Sequence, residues 1–401
     1  MLRVSYQQKT MIPATEGRDA GCSSTLRDLA EHTNQRIARA LAPLIAQSPQ
    51  SVPAWLKLLE RFQESGRLRQ EAARSGLQVP PFMILSVTSV CNLRCSGCFA
   101  VAAGNVGKRT DAVLDAEAWK QVIKQARHLG VFGFVIAGGE PFLMPGLAGL
   151  LREFPDCLFL VFTNGTKISD ADYELLHGLS NVIVVLSVEG DRAATDQRRG
   201  PGVHDRVMET SRRLRQAGIL TGFSTTVTGE TAAYWSTAES MRTFVEAGSG
   251  LLALIEHIPV GAGDEDLALS PEQRKKLRAA VVAYRSENAA YVVHSPGDED
   301  AAGGCVSAGR GFAHVTPVGD VTPCPVSNWA THNLRSSTLE AALGSEMFTR
   351  IRANEALLET DGHPCALQAH PRELAALLSG LGAYRTGQTQ PSLTPLAGSG
   401  S

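Results

Sequence analysis

No stretch of this chain reaches the roughly 18 consecutive apolar residues that a membrane span needs, so no membrane partner is expected. A strong charge of either sign is also missing. The formal net charge is −2 over 401 residues, which creates no global field to recruit nucleic acid. Residues 1–24 are polar and lack an apolar stretch ahead of a small-residue cleavage site, so no signal-peptide pattern is present. Internal repeats are absent beyond an alternation of strand-like and helix-like segments. What the chain does have is enough apolar residues, 43%, for a real core, and eight cysteines. Three of these are crowded into one loop, which favours a reducing, cytoplasmic setting and metal ligation over disulfides.

That loop is Cys91-Asn-Leu-Arg-Cys95-Ser-Gly-Cys98-Phe99, with the spacing C-x3-C-x2-C. Thiolates are soft ligands that select iron–sulfur clusters, zinc or copper(I). A cubane cluster presents about four irons, so three close cysteines leave one iron open to another molecule. The segment before it, residues 83–88, is apolar and β-branched and reads as a strand. A tri-thiolate loop directly after a strand suggests a cofactor site at the carboxyl end of a barrel strand. The bland alternative is three unrelated cysteines in one loop.

The arrangement resembles the radical S-adenosylmethionine (SAM) superfamily, whose members carry C-x3-C-x2-φ-C with φ aromatic. Here Gly97 stands at the φ position and Phe99 follows the last cysteine. The resemblance implies a [4Fe–4S] cluster on Cys91, Cys95 and Cys98. Its open iron would bind SAM, and its electron would cleave a carbon–sulfur bond to give a carbon radical. Such chemistry belongs to the cofactor, while the protein supplies position and exclusion of water.

Along the chain, residues 1–23 are expected to be disordered and residues 24–79 to form a helical extension, with amphipathic helices over 25–46 and from Ser51 to about Ser75. From Phe82 onward, strands at 83–88, 132–137, 158–163, 183–188, 220–227 and 251–258 alternate with helices at about 115–129, 144–153, 169–179, 204–217, 232–247 and 270–285. This alternation predicts an α/β parallel sheet with right-handed crossovers. Pattern alone leaves a doubly wound sheet open; the resemblance implies a (β/α)6 partial TIM barrel over residues 80–290. A different regime follows over 291–385, with a hairpin around Val318-Gly319, a helix over 339–351 and a last helix over 371–381. The Gly-, Ser-, Thr- and Pro-rich tail over 386–401 reads as disordered.

Further motifs extend the resemblance. Gly138-Gly139-Glu140 follows the second strand; glycines allow close backbone approach, and in the family this stretch contacts the SAM amino group. Ser187-Val-Glu189-Gly190 ends the fourth strand and is similar to the family's ribose motif. Arg199 matches an arginine suited to the SAM carboxylate, with Arg198 read as solvated. Thr225 on the fifth strand, Pro259 after the sixth and Phe99 complete the implied cofactor contacts. Glu256 and His257 are expected to face the barrel mouth.

Outside the barrel, Cys305-x13-Gly319-x4-Cys324-Pro, with Cys365 beyond, resembles the SPASM/twitch extensions of these enzymes. It implies one auxiliary [4Fe–4S] cluster, its fourth iron open or bound by His363 or by substrate. A structural zinc held by three cysteines and a histidine is the alternative. Cys22 and Cys157 have no partner spacing. The resemblance therefore implies a cytoplasmic radical SAM enzyme. Its substrate would be a small natural-product molecule or a peptide, the former favoured because no winged-helix peptide-binding domain precedes the barrel. Its electron donor would be a flavodoxin or ferredoxin. Transfer of the 3-amino-3-carboxypropyl group of SAM, or an iron–sulfur carrier role, are the rival readings.

Overall fold

The structure, a computed structural model, describes residues 52–107, 113–260, 265–360 and 362–386. The expected disordered N-terminus, the helix over 25–46, Cys22 and the tail beyond Thr386 lie outside the described residues.

Among the described residues, ten strands form one sheet. The first six are β1 (Phe82–Ser86), β2 (Gly133–Ala137), β3 (Leu158–Thr163), β4 (Val182–Ser187), β5 (Leu220–Val227) and β6 (Leu251–Glu256). They are parallel and sequential, and they fall within one or two residues of the six expected from periodicity. A seventh parallel strand, β7 (Tyr291–Ser295), extends the sheet beyond β6 and was not expected. Its YVVHS run is short and follows a polar helix end, so it carries little periodic signal.

The hairpin around Gly319 is β8 (Phe312–Val315) and β9 (Asp320–Thr322). It does not stand apart. β8 pairs in parallel with β1, on the edge opposite β2. Beyond it come β10 (Trp329–Ala330), β11 (His332–Asn333), which pairs with β9, and β12 (Tyr384–Arg385), which pairs with β10. The helix expected over 339–351 is two, Leu339–Leu343 and Glu346–Ala353, because the Ser345 side chain caps a new start at Phe348 N.

Helix α1 (Val52–Arg74) precedes the sheet, and the crossovers between β1 and β7 carry α2 (Ala116–Leu129), α3 (Leu147–Arg152), α4 (Asp170–Leu176), α5 (Arg192–Arg199), α6 (Val203–Gln216), α7 (Ala238–Ala247) and α8 (Pro271–Glu287). Local chemistry sets their ends. The Asp115 carboxylate accepts from Ala118 N to start α2, and Trp119, Val122, Ile123 and Ala126 form its buried stripe. Ser270 and Gln273 cap α8 reciprocally, with Pro271 at its first position.

Alternate strand residues serve opposite faces. Met83, Leu85, Phe134, Ile136, Phe159 and Val161 pack in the main core under the helices. The other face carries an aligned apolar layer of Ile84, Val135, Leu160, Ile183 and Leu220. Nearer the carboxyl ends it becomes polar, with Ser86, Ser187 and Ser224. The sheet is curled around this face. A flat sheet would hold β1 and β6 about 24 Å apart, yet Gly97 after β1 lies against the His257 ring after β6. At the amino ends, Trp55, Leu58 and Phe62 of α1 pack with Phe82, Phe132, Leu158 and Leu220. The described part of the expected helical extension, α1, therefore acts as packing at the floor of a partial barrel.

The far edge is fastened by charge. The Asp298 carboxylate accepts from Arg278 Nη1 at 2.6 Å, from Arg285 Nη1 and Nη2 at 2.7 and 2.6 Å, and from His294 N at 2.8 Å. Burial alone would raise its pKa; the Arg285 contacts outweigh that and pull it down to about 2. A depressed carboxylate stabilises the fold above its unfolded pKa of about 3.9 and loses that contribution as pH falls toward 2. Asp298→Asn is expected to cost about 2 kcal/mol at pH 7. Urea unfolding of both proteins at pH 7 and pH 3 checks this, the gap narrowing at the lower pH.

Candidate functional site

The loop leaving β1 holds Cys91, Cys95 and Cys98 as free, half-buried thiols, tied down from several neighbouring strand ends. Asn92 Oδ1 accepts from Asn164 Nδ2 at 3.0 Å and its Nδ2 donates to Thr166 Oγ1 at 2.9 Å, fastening the first turn to the loop after β3. Ser96 N donates to Arg198 O at 3.1 Å, and Arg198 Nη2 donates to Gly97 O at 3.2 Å, fastening the second turn to the end of α5. Gly97 has φ 61°, and a Cβ there would lie 2.9 Å from His257 Cε1. The ring of His257 occupies the space above it, which explains why no side chain stands at this position.

The segment leaving β2 runs alongside the entry to the loop. Gly139 N donates to Thr88 O and Glu140 N to Val90 O, both at 2.8 Å. A Cβ on Gly138 would lie 2.5 Å from Thr88 O, and one on Gly139 would lie 2.0 Å from Val90 O. Both glycines are thus demanded by the cysteine loop itself, whatever ligand binds. Glu140 is buried: it accepts from Thr163 Oγ1 at 2.5 Å, Asn164 N at 2.8 Å and Phe142 N at 3.2 Å. Burial pushes its pKa up against these hydrogen bonds.

Glu189 is 1% exposed and collects two guanidinium groups, from Arg198 Nη1 and Arg199 Nε, each at 2.6 Å, plus Thr226 N at 3.1 Å. Burial works against the charge of Arg199, but Glu189 and Cys95 more than compensate and hold its pKa above the ordinary arginine value. Burial raises the Cys95 thiol, with the Arg199 and Arg198 charges opposing it. Arg198, read from sequence as solvated, is instead part of the site. The missed signal was the helix Arg192–Arg199, capped by Asp191, which turns both arginines inward.

Other expected contacts divide. Ser187 Oγ lies 3.5 Å from Ser224 Oγ on the polar rim. Thr225 shares the face of Phe223 and Val227, which belong to the main core, while its neighbours Ser224 and Thr226 alternate to the Ser187 side. Pro259 is half-buried just past His257, and Phe99 is exposed at the start of a one-turn helix, Phe99–Ala102. Glu256 does not face the mouth. It turns to α8 and accepts from Arg274 Nε at 2.5 Å and His294 Nε2 at 3.0 Å.

Cys305, Cys324 and Cys365 are all buried and lie near enough that their charges act on one another. Each thiol faces backbone N–H groups: Ser307 at Cys305, Val326 and Ser327 at Cys324, and Gln368 and Leu367 at Cys365. Burial pushes the Cys305 thiol up to about 11 and Cys365 to about 12, and takes Cys324 well above the usual thiol value. Cys365 N donates to His363 Nδ1 at 3.0 Å, so that ring nitrogen is already engaged. The isolated Cys157 is buried, with its thiol raised to about 12.

Among the described residues no three Cys, His, Asp or Glu side chains are drawn together as a single metal ion would require. A zinc ion gathers its thiolates at about 2.3 Å, whereas a cubane offers a separate iron to each of three spaced thiolates. Soft all-sulfur donors suit a cluster at both sites; backbone N–H groups face all three sulfurs of the second, and at the first Leu93 N donates to Cys91 Sγ at 3.4 Å.

Residues 85–241 match the family model described as the radical SAM superfamily. The sporulation killing factor maturation protein SkfB of Bacillus subtilis is 34% identical over 145 residues, which are 35% of this chain and 34% of that protein. The PqqA peptide cyclase of Streptomyces rochei is 27% identical over 62% of this chain and 70% of its own length. Mycofactocin maturase MftC of Mycobacterium tuberculosis is 26% identical over 64% and 67%. The chain thus spans only about a third of the first of these relatives. Among solved structures, Streptococcus suis SuiB bound to its precursor peptide SuiA is similar in fold, with a TM-score of 0.59 and 16% identity over 73% of this chain and 71% of that one. anSMEcpe with bound AdoMet gives 0.52 and 20% over 67% and 78%.

Gly139→Ala is expected to displace the cysteine loop and destabilise the fold by about 1–3 kcal/mol. Gly149→Ala on α3, where a Cβ meets nothing within 4 Å, is the matched control. Iron bound per chain after anaerobic reconstitution, read beside thermal melting, distinguishes them: only Gly139→Ala should lose iron.

Proposed function

The chain carries a radical SAM domain over residues 85–241, and from that premise we propose an enzyme that cleaves SAM reductively and directs the resulting radical at a peptide. The observation that carries this reading is the cysteine loop, clamped from the ends of β2, β3 and α5 at the polar rim of the curled sheet. Cys91, Cys95 and Cys98 would hold a [4Fe–4S] cluster, which supplies the electron for carbon–sulfur cleavage and so a 5′-deoxyadenosyl radical able to take a substrate hydrogen.

The chain's own groups would do the rest. Ser187 and Glu189 offer hydroxyl and carboxylate partners for ribose hydroxyls. Arg199 offers a guanidinium for the SAM carboxylate, and Glu140 with the Gly138–Gly139 backbone borders the amino group. Phe99, Thr225 through its backbone, and Pro259 flank the nucleoside. The apolar layer beneath keeps water from the radical.

Cys305, Cys324 and Cys365 would hold one auxiliary [4Fe–4S] cluster. Its fourth iron would be open to substrate or to His363 through the nitrogen not engaged with Cys365. The peptide substrate draws support from relatives named as maturation protein, peptide cyclase and maturase. These names outweigh the small-molecule preference, which rested on the missing winged-helix pattern. A flavodoxin or ferredoxin in a reducing cytoplasm would supply electrons; no helix among the described residues is long and apolar enough to cross a membrane.

Two outcomes test this. Anaerobically reconstituted protein with a reductant should convert SAM to 5′-deoxyadenosine, and Ala at Cys91, Cys95 or Cys98 should abolish the product. Methylthioadenosine in its place would assign 3-amino-3-carboxypropyl transfer, and SAM bound but never consumed would assign a carrier. Separately, replacing Cys305, Cys324 and Cys365 together by Ala should lower iron from about eight to about four per chain.

A further inference from the structure

Three buried polar side chains with no role in the site described so far lie in a row across β1, β8 and β9. Ser86 Oγ is 2.8 Å from His314 Nε2, and His314 Nδ1 is 2.8 Å from Thr322 Oγ1. Thr322 Oγ1 then donates to Cys324 O at 3.0 Å. Sheet register makes the row. His314 stands beside Ile84 on one edge of β8 and opposite Thr322 on the other.

Counting protons gives the row one polarity. Thr322 has a single hydroxyl proton, committed to Cys324 O, so its oxygen can only accept from His314. The imidazole therefore carries its proton on Nδ1, and Nε2 accepts from the Ser86 hydroxyl. The ring is neutral, since full burial holds its pKa down at about 3. At the far end, Cys324 O accepts from both Thr322 Oγ1 and Ser327 N, so both its lone pairs are used and the cysteine's peptide plane is fixed. Apolar side chains would fill this space without desolvating three polar groups, so packing alone does not account for the row.

We propose that Ser86, His314 and Thr322 form a positioning wire that fixes Cys324, and with it the group of Cys305, Cys324 and Cys365, in one frame with the strand carrying the Cys91–Cys98 loop. The proposal rests on the auxiliary cluster of the proposed function. In that frame the wire sets the environment of the centre held by Cys324, while the Cys91–Cys98 centre does not depend on it.

Thr322→Val keeps the shape and removes the hydroxyl, Thr322→Ser restores it, and Ser86→Ala cuts the opposite end. Full-length chains are reconstituted anaerobically and compared by iron content and by electron paramagnetic resonance with and without SAM. Thr322→Val should lose up to half of its iron, or keep it with a changed signal from the SAM-insensitive centre. The SAM-responsive signal should stay, and Thr322→Ser should return both readouts to wild type. Ser86→Ala should shift the same signal in the same direction. Wild-type iron and signals in both Thr322→Val and Ser86→Ala would overturn the proposal, as would loss of the SAM-responsive signal alone.

If wild-type protein holds only one cluster, the auxiliary reading fails. The wire is then tested by itself, through 15N spectra of the histidine-labelled, iron-free chain. A buried imidazole protonated on Nδ1, and converted to mixed tautomers by Thr322→Val, supports it; protonation on Nε2 overturns it.

Discussion

β1 is hydrogen-bonded along both edges, to β2 on one side and β8 on the other, and the chemistry of this protein is arranged around that double pairing. Its carboxyl end releases the cysteine loop. The β2 side presses Gly138 and Gly139 against the loop's backbone, and the β8 side carries His314 toward Cys324. A strand with neighbours on both sides cannot slip or splay without breaking two ladders. The loop therefore inherits a fixed origin, and the two thiol groups are measured from the same strand.

Around that origin, charge is handled by mutual burial. Glu189 would be expensive to desolvate alone, and two guanidinium groups with the Thr226 N–H meet it. Glu256 is treated alike by Arg274 and His294, and Asp298 by Arg278 and Arg285. The Glu189 cluster lies beside Cys95, where its arginines bring positive charge toward sulfur. The Glu256 cluster points the other way. Arg274 also donates to Gly362 O, three residues from Cys365, so the same side chain that neutralises a barrel carboxylate steadies the second thiol group.

Much of this was legible in sequence because it repeats or crowds. Six βα units announce themselves through periodicity, and three cysteines in nine residues through spacing. What escaped depends on contacts between distant segments. The inward turn of Arg198 needs a helix only eight residues long whose composition is almost entirely polar. The absence of a side chain at Gly97 is explained by a ring 160 positions away. Thr225 against Ser224 is a matter of one residue of alternation, which motif matching does not resolve and strand register does. β7 and the attachment of β8 to β1 show that the segment after residue 290 is woven into both edges of the barrel sheet.

The packing of Trp55, Leu58 and Phe62 under Phe82, Phe132, Leu158 and Leu220 also governs traffic. That end of the curled sheet is filled with side chains, so a route to the polar rim runs past the carboxyl ends or between the two free sheet edges, β7 and β11, and not up through the amino ends.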